Sequence, residues 1–593
     1  MHYTTIHMSG QTIGGATCAA AWNSAILIIK TGKKKGFAML RMFSEHRVRP
    51  VLPLDGLWEL RPADGSGARF PAVVPGVWEA IPALACYRGA AEYSRTFRLD
   101  RAGAVLFRFG GVSHTAAVLL DGKELGSHYD AFTGFRFAVP DVPAGEHRLT
   151  VKVDNSFSEA STLHIPNDYY TYGGITRPVC AELIPGAYLD RMAFVPSRDA
   201  DGTWTAGITV TVKALEAFAG GTVRTRVAGE SAERPCPPLR GGETAEIAFR
   251  LPCPRAEAWN PMDPRLYMLE SALLSGGAVC DDLIDRVGFR TVRVRGEGIY
   301  INDRKVLVRG FNRHEDYGSQ GCAVSVGSMM EDLHLLLDMG ANSVRTSHYP
   351  NDPRFLDLCD ELGLLVWEET HSRAIPGEIM RTPLFRQQIA DSAREMVAQH
   401  FNHPCVYTWG LLNECESDTE FGRQVYGELI ALLRKADPTR PVTFASCRCF
   451  TDVCLDLVDI VSFNIYPLWY FDERPAEYAR KLLRWMDENG AAGKPVLFSE
   501  FGAGAIAGFR DPLAKAKWSE EYQAEALGVL LSDFANLPRI SGTYIWQFAD
   551  VRVAQEWAMR RPKSENNKGV VDRFRRPKLA YFTVRENYRS PKR

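Results

Sequence analysis

From about residue 295 onward the chain repeats one pattern: an apolar run that breaks off in polar residues, then a stretch with helical spacing. That repetition leaves few folds open. The strand candidates are Val306 to Phe311, Asn342 to Thr346, Leu364 to Trp367, Val406 to Leu412, Val442 to Ala445, Ile460 to Tyr466, Val496 to Phe498 and Gly542 to Gln547. Helical spacing falls between most of them. Ser328 to Gly340 is expected to be a helix with a capping box, Ser328 then Glu331, and Gly340 as its stop. Others are expected at 352–362, 384–400, 418–435, 476–489 and 521–537. Strands alternating with helices in this number read as a (β/α)₈ barrel over residues 294–593.

The preceding part has a different texture. Short alternating runs bounded by turn residues fill about 50–290, for example Val105-Leu106-Phe107-Arg108-Phe109 and His147 to Val153. Asp121-Gly122 between two such runs is a hairpin signal. A second set includes Gly207 to Val212 and Ala245 to Phe249. Many short strands imply β-sandwiches. With a boundary at Pro185-Gly186, one sandwich is expected over 46–186 and another over 187–293.

Residues 1–45 read as an N-terminal extension, low in charge and aperiodic until Lys33-Lys34-Lys35-Gly36. Lys-Gly codons spell a purine-rich ribosome-binding site just ahead of Met39. Translation is therefore expected to start at Met39 or Met42, leaving 1–38 untranslated. The apolar stretch 19–29 is too short to span a membrane, and its lysines follow it, unlike a signal peptide. A cytoplasmic location is expected. The formal net charge of −1 excludes a nucleic-acid partner that would need a basic surplus, and a polybasic membrane anchor. Thirteen cysteines, an odd number in a long chain, do not describe a disulfide scaffold. Cys447, Cys449 and Cys454 cluster, but no second Cys/His pair has zinc-ligand spacing, so no metal and no cofactor are expected.

In a barrel the reactive groups sit at the C-terminal ends of strands. Those ends read Arg313-His314-Glu315-Asp316, Arg345-Thr346-Ser347-His348, Glu368-Glu369-Thr370, Asn413-Glu414, Asn464-Ile465-Tyr466, Glu500 and Trp546-Gln547. Glu414 and Glu500 end strands four and seven, on opposite sides of the mouth. A retaining glycosidase needs two carboxyls about 5–5.5 Å apart, one attacking the anomeric carbon and one protonating the leaving oxygen. Mutual repulsion would raise the acid's pKa. On spacing alone the pair reads equally well as structural ion-pair residues at the rim.

The set Gly310-Phe311-Asn312-Arg313-His314-Glu315-Asp316, Arg345-Thr346-Ser347-His348-Tyr349-Pro350, Asn413-Glu414 and Ser499-Glu500-Phe501-Gly502 resembles glycoside hydrolase family 2. So does the order of a jelly-roll-like sandwich, an immunoglobulin-like sandwich and a barrel. The resemblance covers about 50–590. It departs at Cys415, where Pro is usual, and at Phe501, where Tyr is usual. It implies Glu414 as acid/base and Glu500 as nucleophile. Asn566-Asn567-Lys568-Gly569 is similar to the Asn-x-Lys motif with which the β-glucuronidases of the family hold the sugar carboxylate. Alone it reads as a solvated loop beside a basic run.

The resemblance further implies sugar contacts from Asp168, His314, Asn413, Asn464 and Tyr470. Tyr466 would donate to Glu500, and Trp546 would floor the ring. Without it, Asp168 is a turn residue, His314 a structural His bonded to Glu315 or Asp316, and Trp546 plain core. Glu368 and Glu369 read as rim carboxylates supporting Arg345 or His348. The short connection between Thr370 and Leu384 implies an open site taking larger leaving groups, and no further domain is expected after the barrel.

The expected reaction is hydrolysis of terminal β-D-glucuronides with retention, on small molecules or glucuronate-terminated oligosaccharides, by a homo-oligomer that the family resemblance makes a tetramer. A β-D-galacturonidase, a neutral-sugar β-galactosidase or β-mannosidase and an inactive carbohydrate-binding protein are the alternatives.

Overall fold

A computed structural model describes residues 40–590 apart from Met262. Residues 1–39, with the proposed start at Met39, lie outside it.

The first unit packs a six-stranded sheet on a four-stranded one, all antiparallel. Its core runs from Leu54 to Ala181 and includes Trp58, Tyr93, Phe107 and Phe109. Thr115–Leu120 pairs with Lys123–Tyr129 around Asp121 (φ 51) and Gly122 (φ 82). Two consecutive positive-φ residues make the tight turn whose twist matches the strands, as the Asp-Gly pair predicted. The second unit is a seven-stranded sandwich, three strands on four, with its own core from Ala187 to Phe289. Trp204–Ala214 shows the expected alternation, alternate side chains entering the core.

The barrel closes through eight parallel strands: β1 Val308–Arg313, β2 Ser343–Thr346, β3 Leu365–Glu369, β4 Val406–Leu411, β5 Val442–Ser446, β6 Val461–Asn464, β7 Val496–Phe501 and β8 Ile540–Ile545. Seven of them are buried at every residue. Strands covered on both faces are apolar throughout, which is why they read as continuous runs. Helices α1 Val326–Met339, α2 Pro353–Leu362, α3 Pro383–His400, α4 Glu420–Ala436, α5 Pro475–Met486, α6 Glu520–Ala535 and α7 Leu579–Arg589 surround it. Only a short turn, Leu455–Leu457, joins β5 to β6.

Three details correct the sequence reading. The cap of α1 is Ser325, whose Oγ accepts from the Ser328 amide, while Glu331 accepts from the Tyr317 hydroxyl. The run from Val306 is broken at Leu307: Val306 closes a small three-stranded sheet, and the barrel begins at Val308. Finally, the last residues of the expected extension, 40–45, are tied to the rest of the chain by ion pairs. Arg41 reaches Asp357 on α2 at 2.7 Å and Asp285 of the second sandwich at 2.9 Å. Nearby, Arg49 joins Glu182 and Asp281, both at 2.7 Å. The stretch 41–49 therefore clamps all three units together. Among the described residues no helix is long and apolar enough to cross a membrane.

Removing one partner of a buried pair leaves the other charge uncompensated, at a cost of about 3–5 kcal/mol. Arg41→Met should lower stability by about that much in urea unfolding, whereas Arg255→Met, at an exposed arginine, should stay within about 0.5 kcal/mol. Equal effects would show that the clamp carries no weight.

Candidate active site

The C-terminal ends of the strands open into a cavity of about 320 Å³, lined among others by Asp168, Arg373, Glu414, Asn464, Tyr466, Glu500, Trp546 and Lys568. A larger groove of about 660 Å³ lies at the other end of the barrel, between Val294, Arg434 and Lys494; its two carboxylates, Asp456 and Asp459, are engaged by Arg423 and Arg434.

Glu500 projects from β7 and is 4% exposed. Its Oε1 accepts from Arg345 Nη1 at 2.8 Å and its Oε2 from the Tyr466 hydroxyl at 2.8 Å. Burial pushes the Glu500 carboxyl up to about 7, with Glu414 adding to the rise and Arg345 and Tyr466 opposing it. Burial thus outweighs repulsion from the neighbouring carboxyl as the cause of this rise.

Glu414 lies just past β4, on a backbone where Leu412 (φ 44) and Glu414 (φ 55) are both left-handed. Such non-glycine conformations are held by surrounding structure and cluster at functional sites. Glu414 Oε1 accepts from Asn464 Nδ2 at 2.9 Å, and Oε2 faces Arg373 Nη2 at 3.3 Å. Asn413 accepts from Arg345 and Asn464 through Oδ1, while its buried Nδ2 has no partner. That leaves a donor free beside the carboxyl pair.

Lys568 is 2% exposed. Its Nζ donates to the Tyr470 hydroxyl at 3.1 Å and sits among the Tyr466, Trp469 and Tyr470 rings. Burial lowers its pKa. Among the described residues it forms no ion pair. Asn566, two positions earlier, turns its amide nitrogen to Asp168 Oδ2 at 3.0 Å.

Asp168 comes from the first sandwich and is held well below the usual carboxylate range, against its burial, by Arg373, Arg561 and Lys568. Arg561 bonds it at 2.9 Å. Trp546 lies flat against His348, and His314 meets its edge. His314 Nδ1 is bonded to Tyr349, not to Glu315 or Asp316, and Nε2 is free. Asn413, Asn566 and His314 sit behind the lining residues. Glu369 does support Arg345 and His348, but it is buried rather than at the rim, and Glu368 instead faces His400. Cys415 is buried, and Phe501 packs edge-on against Phe534.

Sequence reasoning missed Arg373, Arg561 and Trp557, all in the lining. Arg373 could have been suspected from its place just after the end of β3. Arg561 and Trp557 follow β8 in a stretch without period. Cys447 and Cys449 do come together, but in the cavity wall, while Cys454 is turned away and bonded to the Ser417 carbonyl.

With the geometry in hand, comparison with known proteins is decisive. Residues 292–592 match the profile of "Glycosyl hydrolases family 2, TIM barrel domain", and 68–185 match the sugar binding domain of the same family. The chain belongs to glycosyl hydrolase family 2. This family 2 enzyme is 47% identical to a β-galacturonidase from Eisenbergiella tayi solved with galacturonate, over 93% of this chain and 99% of that one, with a TM-score of 0.91. It is 26% identical to a Ruminococcus gnavus β-glucuronidase solved with D-glucuronic acid, over 92% and 99%, TM-score 0.81. A β-glucuronidase of Paenibacillus borealis is 27% identical over 91% of this chain and 97% of its own length.

Loss of the Tyr466 hydroxyl removes a donor to the Glu500 anion. A hydrogen bond to a charged group contributes about 1.5–3 kcal/mol, or about one to two pKa units. Activity falls as pH drops through this pKa, so Tyr466→Phe should move the acid limb of the kcat/KM profile to higher pH by about one to two units. An unmoved limb would remove Glu500 as the titrating group.

Proposed function

We propose that this glycoside hydrolase is a retaining exo-β-uronidase that removes terminal β-D-galacturonic acid. The observation that carries the uronide reading is Lys568, a buried ammonium among aromatic rings without an ion-pair partner among the described residues. A sugar carboxylate supplies the missing charge through a charge-assisted bond. A neutral galactoside would leave the desolvated lysine uncompensated.

Glu500 attacks the anomeric carbon and Glu414 protonates the leaving oxygen; Glu414 then takes a proton from the water that releases the sugar. One proton serves the pair of carboxyls. Arg345 and Tyr466 favour the anion on Glu500 and so leave the shared proton to Glu414. Arg373, 3.3 Å from Glu414, opposes that proton, so this contact must lengthen as the sugar enters. The Asn413 amide, which has no partner, donates past the lining to the 2-hydroxyl, a contact that strengthens as positive charge builds at the anomeric carbon. Asp168 and His314 Nε2 offer an acceptor and an imidazole nitrogen to other hydroxyls, and Trp546 offers a face to the ring.

On sequence alone glucuronide ranked ahead of galacturonide. The 47% identity to a galacturonidase, against 26–27% to glucuronidases, favours the reverse order. The glucuronide reading keeps the support of the curated relatives, which are named β-glucuronidases. The two differ at a single hydroxyl.

Chromogenic β-D-galacturonide, β-D-glucuronide and β-D-galactoside assayed together decide between these readings: galacturonide should turn over fastest and galactoside least. Lys568→Ala should lower kcat/KM on the uronides roughly 10²-fold or more and spare any galactosidase activity. Equal loss on all three substrates would refute the carboxylate role. Glu500→Gln should cut turnover of every substrate by at least about 10³-fold.

A further inference from the structure

Outside the catalytic cavity, one buried cluster has chemistry that the hydrolysis does not use. Asp130 and His164 of the first sandwich meet His371, just past the end of β3. One donor atom from each lies within 4.8 Å of the other two. The three residues are 0%, 1% and 1% exposed.

Each imidazole has one nitrogen occupied and one free. His164 Nδ1 is bonded to the Tyr129 hydroxyl at 2.9 Å, and His371 Nε2 to the Tyr169 hydroxyl at 3.1 Å. His164 Nε2 and His371 Nδ1 are buried without partners. The Asp130 carboxylate is fixed by the Ser392 hydroxyl at 2.7 Å and the Phe132 amide at 3.1 Å. Among the described residues it forms no ion pair. Its backbone is at φ 132, a region that side chains other than glycine rarely occupy. A strained, buried carboxylate beside two buried imidazole nitrogens with nothing to bond is an arrangement that a cation would satisfy.

We propose that Asp130, His164 Nε2 and His371 Nδ1 bind one divalent transition-metal ion, Zn²⁺ by the nature of the donors. Two imidazoles and a carboxylate suit zinc, with a fourth position open to water. Metal-bound histidines characteristically bond their second ring nitrogen to a neighbouring group, the part that Tyr129 and Tyr169 play here. Zinc–nitrogen bonds of about 2.0–2.1 Å would draw the three donors inward to a separation of about 3.3 Å. The ion would staple two segments that reach the active site: His164 is four residues ahead of Asp168, and His371 two residues ahead of Arg373. Asp360, His403 and Cys405 form a second cluster of similar spacing, but its groups bond one another: His403 Nδ1 to Asp360 at 2.6 Å, and the Cys405 amide to Asp360 at 2.9 Å.

The test uses untagged full-length enzyme, stripped with a chelator and titrated with Zn²⁺ and with Co²⁺ as a coloured substitute. A single tight equivalent per chain is expected, with Co²⁺ giving visible d–d bands and no thiolate charge-transfer band. The metal should raise the thermal midpoint, and its removal should raise KM for the uronide more than it lowers kcat. His371→Asn should abolish the tight equivalent. The wild-type Co²⁺ spectrum decides the matter by itself if that variant does not fold. Failure to take up metal, a thiolate band marking capture at Cys405 or another cysteine, or unchanged binding in a folded His371→Asn protein would overturn the proposal. None of these outcomes bears on Lys568, so the uronidase reading stands or falls separately.

Discussion

The buried guanidinium of Arg345 is the interaction on which the catalytic end of the barrel depends. It is fully inaccessible, and its five hydrogen-bond contacts to carboxylates and amides span the barrel. Nε and Nη2 grip Glu369 at the end of β3; Nη1 reaches Asn312 on β1 and Glu500 on β7; Nη2 reaches Asn413 past β4. One planar cation on β2 thereby fixes groups from four other strand ends. A lysine could not replace it, because an ammonium lacks the rigid fork that satisfies carboxylates and amides in one plane. Burying such a charge is costly, and the arrangement is tolerable because two carboxylates and two amide oxygens surround it. The same contacts orient the Glu500 carboxylate and hold the Asn413 oxygen so that its nitrogen stays free.

A second charged array joins the first sandwich to the barrel. Asp168 is drawn between Arg373, Arg561 and Asn566. The loop that carries it is pinned on either side, by Tyr129 hydrogen bonds at Leu163 and His164 and by the Tyr172 hydroxyl on Asp316. Arg177 adds an ion pair to Glu315 at 2.9 Å. The sandwich therefore acts as a rigid bracket for one carboxylate. A loop alone, with its backbone solvated, would not hold a charged group to that accuracy.

How much of this was legible follows from which forces leave a local trace. The barrel could be read because strands covered on both faces must be apolar at every position, and helices around them keep a polar face. Glu414 and Glu500 could be read because each ends such a run. Arg373 and Arg561 could not: their partners, Asp168 and Glu414, lie far along the chain, and nothing in their neighbours records the meeting. The same holds for Arg41, whose partner Asp357 is 316 positions away, so that residues 40–45 read as an extension. Boundaries slipped where two signals overlapped. Ser325 and Ser328 both suit a cap, and only the chain geometry selects Ser325. Repulsion between two acids can be inferred from a sequence, but the depth of burial that raises Glu500 most cannot.

The charge balance of the cavity bears on the substrate. Asp168, Glu414 and Glu500 line it, and so do Arg373, Arg561 and Lys568. If all were ionised the lining would be neutral. The retaining mechanism proposed above, however, requires one proton on the carboxyl pair, and the upward shift of Glu500 to about 7 points the same way. With that proton in place the lining carries one surplus positive charge in a desolvated space. Arg373 and Arg561 are already committed to Asp168 and Glu414. The surplus therefore resides on Lys568, and a sugar bearing one carboxylate neutralises it. In the proposed mechanism, the protonation that catalysis demands therefore also favours an anionic ring in the cavity.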